Sequence, residues 1–235
     1  MTQIQLSDDK EQWIEELTGE FLLFGLLGKL LYENPEQSLL TQLVDDDVFA
    51  DAPFAASQDS VQEGLVLLQQ WAQAFRADAA GTTLDLKADY TRLFVGTIQL
   101  PLSPWESVYY NEERLLFQES TTDVRRWYRR FGLQAINLRK EPDDHIGLEL
   151  AFMAHLAQHA LVELSFDDQS AFHEVLERQR EFSQRHLLLW TPLWCTQMVE
   201  YAQTPFYRGL ALLLRGALDE LAQLLGIPLP EVPVV

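Results

Sequence analysis

Apolar residues recur at three- and four-residue spacing along most of this chain, and prolines interrupt the pattern. The last repeat is the clearest, because Thr204 and Pro205 are a typical helix start and Gly226 is a typical helix stop. Its apolar face consists of Phe206, Leu210, Leu213, Ala217, Leu221 and Leu224. The sequence contains no convincing alternation of period two and no repeat of solenoid length. It therefore predicts an all-α protein.

The same spacing predicts helices in the first half of the chain. The first is expected to open at Asp8, with Glu11 completing a capping box, and to stop at Pro35. A second is expected over about residues 61–80, and a third from residue 83 to a left-handed C-cap at Gly96. A short basic helix is expected to end at Gly132.

The second half is expected to start at Glu141 and to hold one long helix, two further helices and the terminal one. The long helix carries a core stripe of Ile146, Leu150, Met153, Ala157, Leu161 and Leu164. We expect one domain, with an N-terminal portion 1–131, a hinge 132–140, a C-terminal portion 141–228 and a tail 229–235. If the hinge opens, the two portions can be exchanged between chains. The sequence is therefore compatible with a monomer and with a domain-swapped homodimer.

The charge and the cysteine count narrow the partners of the chain. Its 36 acidic and 17 basic side chains give a formal net charge of -19, which repels phosphate backbones and anionic lipid headgroups. The longest apolar run, residues 21–28, is far shorter than the roughly 20 residues that span a bilayer. We therefore expect neither nucleic-acid binding nor membrane insertion. The single cysteine, Cys195, and the absence of an export signal suit a cytoplasmic protein.

Three carboxylates and one histidine stand in front of the long helix, in the stretch EPDDHIGLEL, residues 141–150. With Glu141 as the cap and Pro142 as the first helical residue, Asp143 and Asp144 fall in the first turn. The helix dipole stabilises negative charge there by about 0.3–1 kcal/mol for each side chain. Capping alone is therefore a sufficient reason for Asp143.

His145 and Glu149 are four residues apart, so they are neighbours in a row with Phe152 and Leu156 beside the core stripe. We expect this row to lie at the rim of a groove. Asp144 or Glu149 is then able to orient His145 as a general base, which makes a metal-dependent or general-base hydrolase the alternative function.

Further catalytic or metal-binding patterns are missing from the sequence. His155 and His159 stand four apart, but the glutamate of the zinc-protease motif HExxH is absent, and this pair points away from His145. The sequence has no Gly-x-Ser-x-Gly elbow and no phosphate-binding glycine loop, and Cys195 lies among tryptophans and leucines like a core residue. We therefore expect no catalytic residue, metal or cofactor of the chain's own.

Three segments together resemble the TorD/DmsD family of cytoplasmic chaperones, which mature molybdenum-containing redox enzymes exported by the twin-arginine (Tat) pathway. They are YTRLFVG at residues 90–96, LPLSPWESVY at 100–109 and EPDDHIG at 141–147, and TPFYRGLA and LYENPE also look like family segments. The resemblance implies an all-helical chaperone that binds the twin-arginine signal peptide of a client reductase until its cofactor is inserted. It also implies that some members form domain-swapped dimers.

The resemblance implies a peptide-binding groove at the matching positions. These are Tyr32, Tyr90, Leu93, Phe94, Pro104, Trp105, Glu141, Pro142, Asp144 and His145. This chain departs from the family pattern at Thr97, where proline is common, and at Glu106, where glycine is common. Glu106 either adds an anchor for a basic peptide or faces solvent.

A receptor for such a leader needs carboxylates beside an apolar, aromatic surface, and this chain supplies both. An arginine of the leader is expected to bond Asp144 or Glu149 and to stack on Trp105 or Tyr109. The folded body of the client is a further candidate partner. The identity of the client, and any binding of molybdopterin or guanine nucleotide, stay open.

Overall fold

The computed structural model describes residues 10–95, 102–110, 113–134, 141–166 and 168–228. Nine α-helices lie in these ranges: α1 (Lys10–Tyr32), α2 (Gln37–Asp45), α3 (Asp59–Ala77), α4 (Ala79–Phe94), α5 (Glu119–Arg130), α6 (Ile146–Ser165), α7 (Gln169–Phe182), α8 (Leu188–Tyr201) and α9 (Pro205–Leu224). A 3-10 turn covers Glu106–Tyr109, and a π turn, Ser183–Leu187, joins α7 to α8. An isolated β-bridge pairs Trp105 with His145. The predicted all-α fold is confirmed.

Two helix pairs organise the core, and each pair crosses at facing glycines. Helix α1 packs along α6, and a Cβ added to Gly28 would lie 2.9 Å from the carbonyl oxygen of Gly147. Helix α3 packs along α9, where a Cβ on Gly64 would lie 2.8 Å from the carbonyl oxygen of Gly209. Because no side chain separates the backbones at these crossings, the helices approach closely and their flanking apolar residues interdigitate.

Each of these pairs takes one helix from residues 1–131 and one from residues 141–228. The two portions therefore share one hydrophobic core and do not each build their own. Helix α8 packs against α9, and α7 packs against α6, which completes the C-terminal side of the molecule. The predicted hinge falls largely on residues 135–140, which lie outside the described ranges, so the domain boundaries stay a prediction.

The helix bounds follow local signals where those signals are strong. The start of α9 is confirmed, because the Thr204 side chain accepts a hydrogen bond from the backbone N–H of Tyr207 and Pro205 is the first residue. The predicted stop is confirmed as well, since Gly226 has a positive φ of 60°. The expected helix over 61–80 ends at Ala77 instead, because the Asp78 side chain caps a new helix, α4. The expected start at Asp8 and the C-cap at Gly96 lie outside the described residues.

Candidate functional site

Helix α6 begins later than its sequence predicts. Its N-cap is His145, whose Nδ1 accepts a hydrogen bond from the backbone N–H of Gly147 at 3.0 Å. The prediction that Glu141 caps the helix and Pro142 opens it is therefore wrong, and Asp143 and Asp144 precede the helix. The helix starts late because the turn before it pairs with another segment.

That partner is the segment 102–110, called the covering segment below. The backbone N–H of Ile146 donates to the carbonyl oxygen of Pro104 at 2.8 Å, and the N–H of Glu106 donates to that of Asp144 at 3.0 Å. The N–H of Ser107 donates to Asp144 Oδ2 at 2.7 Å. Asp144 is fully buried under these contacts, and among the described residues its other carboxylate oxygen has no hydrogen-bond partner.

Asp143 has a tertiary partner and does not cap a helix. It is 1% exposed and accepts a hydrogen bond from Arg125 Nε of α5 at 2.8 Å. Tyr128, one turn along α5, donates its hydroxyl to the carbonyl oxygen of Asp143 at 3.1 Å. The interpretation of Asp143 as a capping residue is wrong, since this carboxylate fixes α5 against the turn before α6.

His145 lies in an aromatic enclosure. Its ring meets Tyr32 edge to face at 5.0 Å between centroids and Trp105 at 5.8 Å. The side chain is 3% exposed, and this burial lowers the pKa of His145 to about 3, so the imidazole is neutral at physiological pH. Tyr32 donates its hydroxyl to Glu141 Oε2 at 2.8 Å, and Tyr90 donates to the backbone oxygen of Tyr32 at 2.9 Å. Five predicted site residues therefore meet here.

Glu149 and Glu106 are buried together beneath the covering segment. Both side chains are fully buried. Trp190 of α8 donates its indole N–H to Glu149 Oε2 at 3.3 Å. Burial, and then the charges of Glu106 and Asp144, raise the pKa of Glu149 well above its ordinary value. The predicted position of the His145–Glu149 row at a groove rim is wrong, because both side chains are enclosed.

Glu106 does not face solvent either. Both of its carboxylate oxygens lie 3.1 Å from Nδ1 of His186, which belongs to the π turn. The other ring nitrogen of His186 is 3.2 Å from Asp123 Oδ2 of α5. His186, Asp123 and Trp190 carry no signal in the sequence, because they lie far from Glu106 along the chain. Only the burial of Glu106 points to such partners, and burial is visible in the structure alone.

The remaining predicted residues stand around this centre. Tyr109 donates its hydroxyl to the backbone oxygen of Ser103 at 3.0 Å, and burial raises its pKa. Phe94 stacks on Trp194 at 6.3 Å between ring centroids. The other members, Leu93, Pro104 and Pro142, are buried. Binding of a peptide by these residues stays a prediction.

A further groove lies elsewhere, between the end of α5, α6 and α7. It encloses about 1000 Å³ and is lined in part by Phe131, His155 and His159. None of the predicted peptide-binding residues lines it. His159 contacts Glu163 at 3.2 Å, and the described residues contain no group of three potential metal ligands. Both histidine rings face Phe131, at 6.2 and 6.0 Å between ring centroids.

Two observations concern a possible cysteine nucleophile and possible membrane-spanning helices. Cys195 is buried, which raises the pKa of its thiol and disfavours the nucleophilic thiolate. No helix in the described ranges is both long enough and apolar enough to cross a membrane.

Comparison with known proteins identifies the family. The family described as "Nitrate reductase delta subunit" matches residues 55–196, more than half of the chain. The "Tat proofreading chaperone DmsD" of Salmonella typhi is 30% identical over 213 residues, which cover 89% of this chain and 92% of that protein. The "Probable Tat proofreading chaperone DmsD" of Haemophilus influenzae is 26% identical over 88% of this chain and 92% of its own length.

A second kind of relative matches a smaller part of the chain. The "Chaperone protein TorD" of Vibrio parahaemolyticus is 28% identical over 66% of this chain and 67% of its own length. These relatives are chaperones and not catalytic enzymes, so the hydrolase alternative is not retained. The chain belongs to the TorD/DmsD family of chaperones.

Proposed function

We propose that this protein is a cytoplasmic chaperone that binds the twin-arginine signal peptide of a molybdenum-containing redox enzyme and holds the precursor back until its cofactor is inserted, before Tat export. One observation carries the proposal: the similarity to a protein named Tat proofreading chaperone extends over 92% of that protein's length. A likeness that spans nearly the whole fold includes the segments around His145 and is not limited to core helices.

The chemistry around His145 supports a peptide with arginines. A guanidinium group pairs well with carboxylates and stacks on aromatic faces, and Glu141, Asp144, Tyr32 and Trp105 supply both kinds of group. Glu141 and Trp105 are half-buried, so they are open to a first contact. The net charge of -19 attracts a cationic leader over a longer range.

We infer that the leader binds along the two paired segments and the adjacent aromatic helix faces. The proposed peptide-binding residues are Tyr32, Tyr90, Leu93, Phe94, Pro104, Trp105, Glu106, Tyr109, Glu141, Pro142, Asp144, His145 and Glu149. Those that are half-buried, such as Tyr32 and Tyr109, are accessible as they stand. The enclosed ones require the covering segment to move before they meet a ligand.

Calorimetric titration with a synthetic leader from a Tat-exported reductase of the same genome tests the proposal. We expect binding, and we expect it to weaken at least tenfold when both arginines of the leader are replaced by glutamine. Asp144→Asn keeps an acceptor for Ser107 and removes the charge, so it should weaken binding of the arginine leader. Asp168→Asn, at the exposed N-cap of α7, is the matched control and should bind like the natural protein. Lack of binding to every twin-arginine leader of that genome would rule the proposal out.

The role in cofactor insertion needs a separate measurement. In cells that lack this protein, the client reductase should accumulate with less molybdenum per polypeptide, and the natural chain should restore the content. Unchanged molybdenum content, with leader binding intact, would restrict the role to holding the precursor.

A further inference from the structure

Basic side chains are concentrated on α5 and α7 of an otherwise acidic chain. Of its 17 lysines and arginines, four lie on α5, two on α7 and one, Arg185, on the π turn that follows α7. The two helices meet at Trp127 and Phe182, whose ring centroids are 5.8 Å apart. They also meet at Asp123, which contacts Arg126 at 3.7 Å and Arg185 at 3.0 Å. The exposed cations of both helices therefore belong to one surface.

Three of these arginines share the outward face of α5. Arg126, Arg129 and Arg130 follow the i, i+3, i+4 spacing of one helix face, and all three are exposed. No carboxylate in the described part of the chain pairs with Arg129 or Arg130, and the Arg130 guanidinium lies 4.9 Å from the centre of the Trp127 ring. The helix dipole favours cations in this last turn. It does not explain why two of them lack a balancing acid in a chain with 36 acidic side chains.

A groove with apolar walls begins where this basic face ends. Phe131, the C-cap of α5, lies against His155 and His159 of α6. From there the groove of about 1000 Å³ continues between α6 and α7, with Val162 and Val175 on its two walls. A groove between two packed helices is able to hold a third helix, which inserts apolar side chains spaced three and four residues apart.

The acidic side chains of the groove are balanced by basic neighbours. Each of its three glutamates is within 3.4 Å of a basic side chain, in the pairs His159–Glu163, Arg178–Glu174 and Arg178–Glu181. Arg130 lines the same groove without such a partner. The charge left over at the α5 end of the groove is therefore positive.

Apolar side chains at the other end of the groove are left in solvent. Val162 is 44% exposed, and Phe166, the C-cap of α6, is 76% exposed. His155, His159, Val162 and Phe166 are four, three and four residues apart, so they lie on one face of α6. Exposed apolar side chains of this size beside a groove with a polar rim are typical of a surface that contacts another protein.

We propose that the outward face of α5 and the adjoining groove between α6 and α7 bind an acidic amphipathic helix of a partner protein. Its carboxylates would pair with Arg126, Arg129 and Arg130, and its apolar side chains would enter the groove. Charge complementarity selects this partner, because a guanidinium group binds a carboxylate through two parallel N–H donors, whereas a cationic helix would meet three arginines.

This surface is separate from the proposed leader site. The leader is cationic, and none of the proposed leader-binding residues lines the groove. The net charge of -19 repels an acidic partner from the chain as a whole, so the basic face also fixes the orientation in which that partner approaches.

Fluorescence anisotropy with a labelled synthetic peptide tests this surface. The probe is an amphipathic helix of about 15 residues, about four turns, with leucine on one face and glutamate on the other. We expect it to bind, and to bind more weakly as salt rises from 0.05 to 0.5 M, because exposed ion pairs are screened. A peptide with glutamine in place of glutamate, and one of the same composition with its leucines scattered around the helix, should each bind at least about tenfold more weakly.

Variants of the chain separate the basic face from the groove. Arg129→Gln combined with Arg130→Gln should weaken binding of the acidic peptide at least about tenfold. Lys29→Gln combined with Lys87→Gln removes the same charge from α1 and α4, so this matched control should bind like the natural protein. Val162→Gln, at a half-exposed position, should weaken binding while the salt dependence stays as in the natural protein. All of these variants should bind the twin-arginine leader like the natural protein.

Several results would overturn the acidic helix as the partner. They are absence of binding by the acidic peptide, and binding that the double arginine variant leaves unchanged. Self-association that depends on Arg129 and Arg130 in sedimentation velocity would assign the surface to a second copy of the chain instead. Tighter binding to phosphatidylglycerol vesicles than to the peptide would assign it to lipid. Loss of leader binding with peptide binding intact would contradict the proposed function alone.

Discussion

A buried acid and a buried amide form a pair between α1 and α7. Glu20 and Gln179 are both fully buried, and the Gln179 amide donates to Glu20 Oε1. Within the described part of the chain, the remaining oxygens, Glu20 Oε2 and Gln179 Oε1, have no hydrogen-bond partner as long as Glu20 is ionised. A protonated Glu20 is able to donate to Gln179 Oε1 and complete two parallel hydrogen bonds. Burial, and then Glu16, raise the pKa of Glu20 well above 4.5, in agreement with this pairing.

This pair makes stability depend on pH in a defined direction. Above pH 4.5 the unfolded chain releases the Glu20 proton while the folded chain retains it, so the free energy of unfolding falls as pH rises, by at most about 1.4 kcal/mol per pH unit. Glu20→Gln keeps two hydrogen bonds and removes the titration. We expect this variant to match the natural protein near pH 4.5 and to exceed its stability at pH 8 in urea unfolding. Glu15→Gln, on the exposed face of α1, should change neither value.

Asp143 distinguishes a tertiary ion pair from helix capping. Removing one member of a buried pair costs about 3–5 kcal/mol, whereas a first-turn acid contributes about 0.3–1 kcal/mol. Because Asp143 is buried against a partly exposed Arg125, we expect Asp143→Ala to lower the free energy of unfolding by about 3 kcal/mol. Asp168→Ala, a true N-cap on α7, should cost only about 1 kcal/mol in the same urea unfolding measurement. Equal losses would contradict the importance of the ion pair.

At the scale of residues, the sequence predicted which residue types gather near the site. It did not predict that they are buried. Asp144, His145 and Glu149 lie close together in the structure because they are near neighbours in the sequence. Their burial depends on the covering segment and on Trp190, which reach them from elements distant along the chain. Sequence spacing carries no information about such partners, because it describes one helix at a time.

The close crossing of α1 and α6 is the clearest feature at the scale of elements. A Cβ on Gly28 would stand 2.9 Å from one backbone atom of α6 and 3.1 Å from another, and backbone atoms do not move aside easily. Gly28→Ala should therefore force the helices apart and lower the free energy of unfolding by about 1–3 kcal/mol. Gly25→Ala is the matched control on the same helix, since its Cβ meets only Ala154 at 3.9 Å.

The control should shift stability in the opposite direction. Alanine is favoured over glycine inside a helix by about 1 kcal/mol, so Gly25→Ala should stabilise the protein when both variants are compared by urea unfolding. A Gly28→Ala variant as stable as Gly25→Ala would contradict the close approach of the two backbones.

Helices were predicted where apolar spacing and caps agree, as in α9, and were missed or shifted where tertiary contacts decide. The short α2 has only nine residues, too few for a periodic signal. The start of α6 moved from Pro142 to Ile146 because residues of the covering segment pair with the turn before it. A proline signals a helix start only through its local sequence, whereas that pairing joins segments far apart along the chain. The sequence therefore could not show the shift.

At the scale of the whole molecule, the N- and C-terminal portions depend on each other. The pairs α1–α6 and α3–α9 join them, so neither portion retains its main packing partner alone. We expect thermal unfolding followed by far-ultraviolet circular dichroism and by tryptophan fluorescence to give one coincident transition. Two separate transitions would indicate that the portions fold independently.

The same pairing bears on the hinge that the sequence predicts over residues 132–140. A domain swap through that hinge would rebuild α1–α6 and α3–α9 between two chains with the same contacts. Composition and periodicity indicated that the two portions pack together, but the choice between monomer and swapped dimer depends on the balance of loop strain and concentration. That balance has no signature in the sequence.

The most direct test of the proposed function is calorimetric titration of a twin-arginine leader into the protein at pH 7, beside the same leader with both arginines replaced by glutamine. We predict that the natural leader binds and that the glutamine leader binds at least tenfold more weakly, because guanidinium groups pair with the carboxylates around His145. Absence of binding, or equal affinity for the two leaders, would contradict the proposed function.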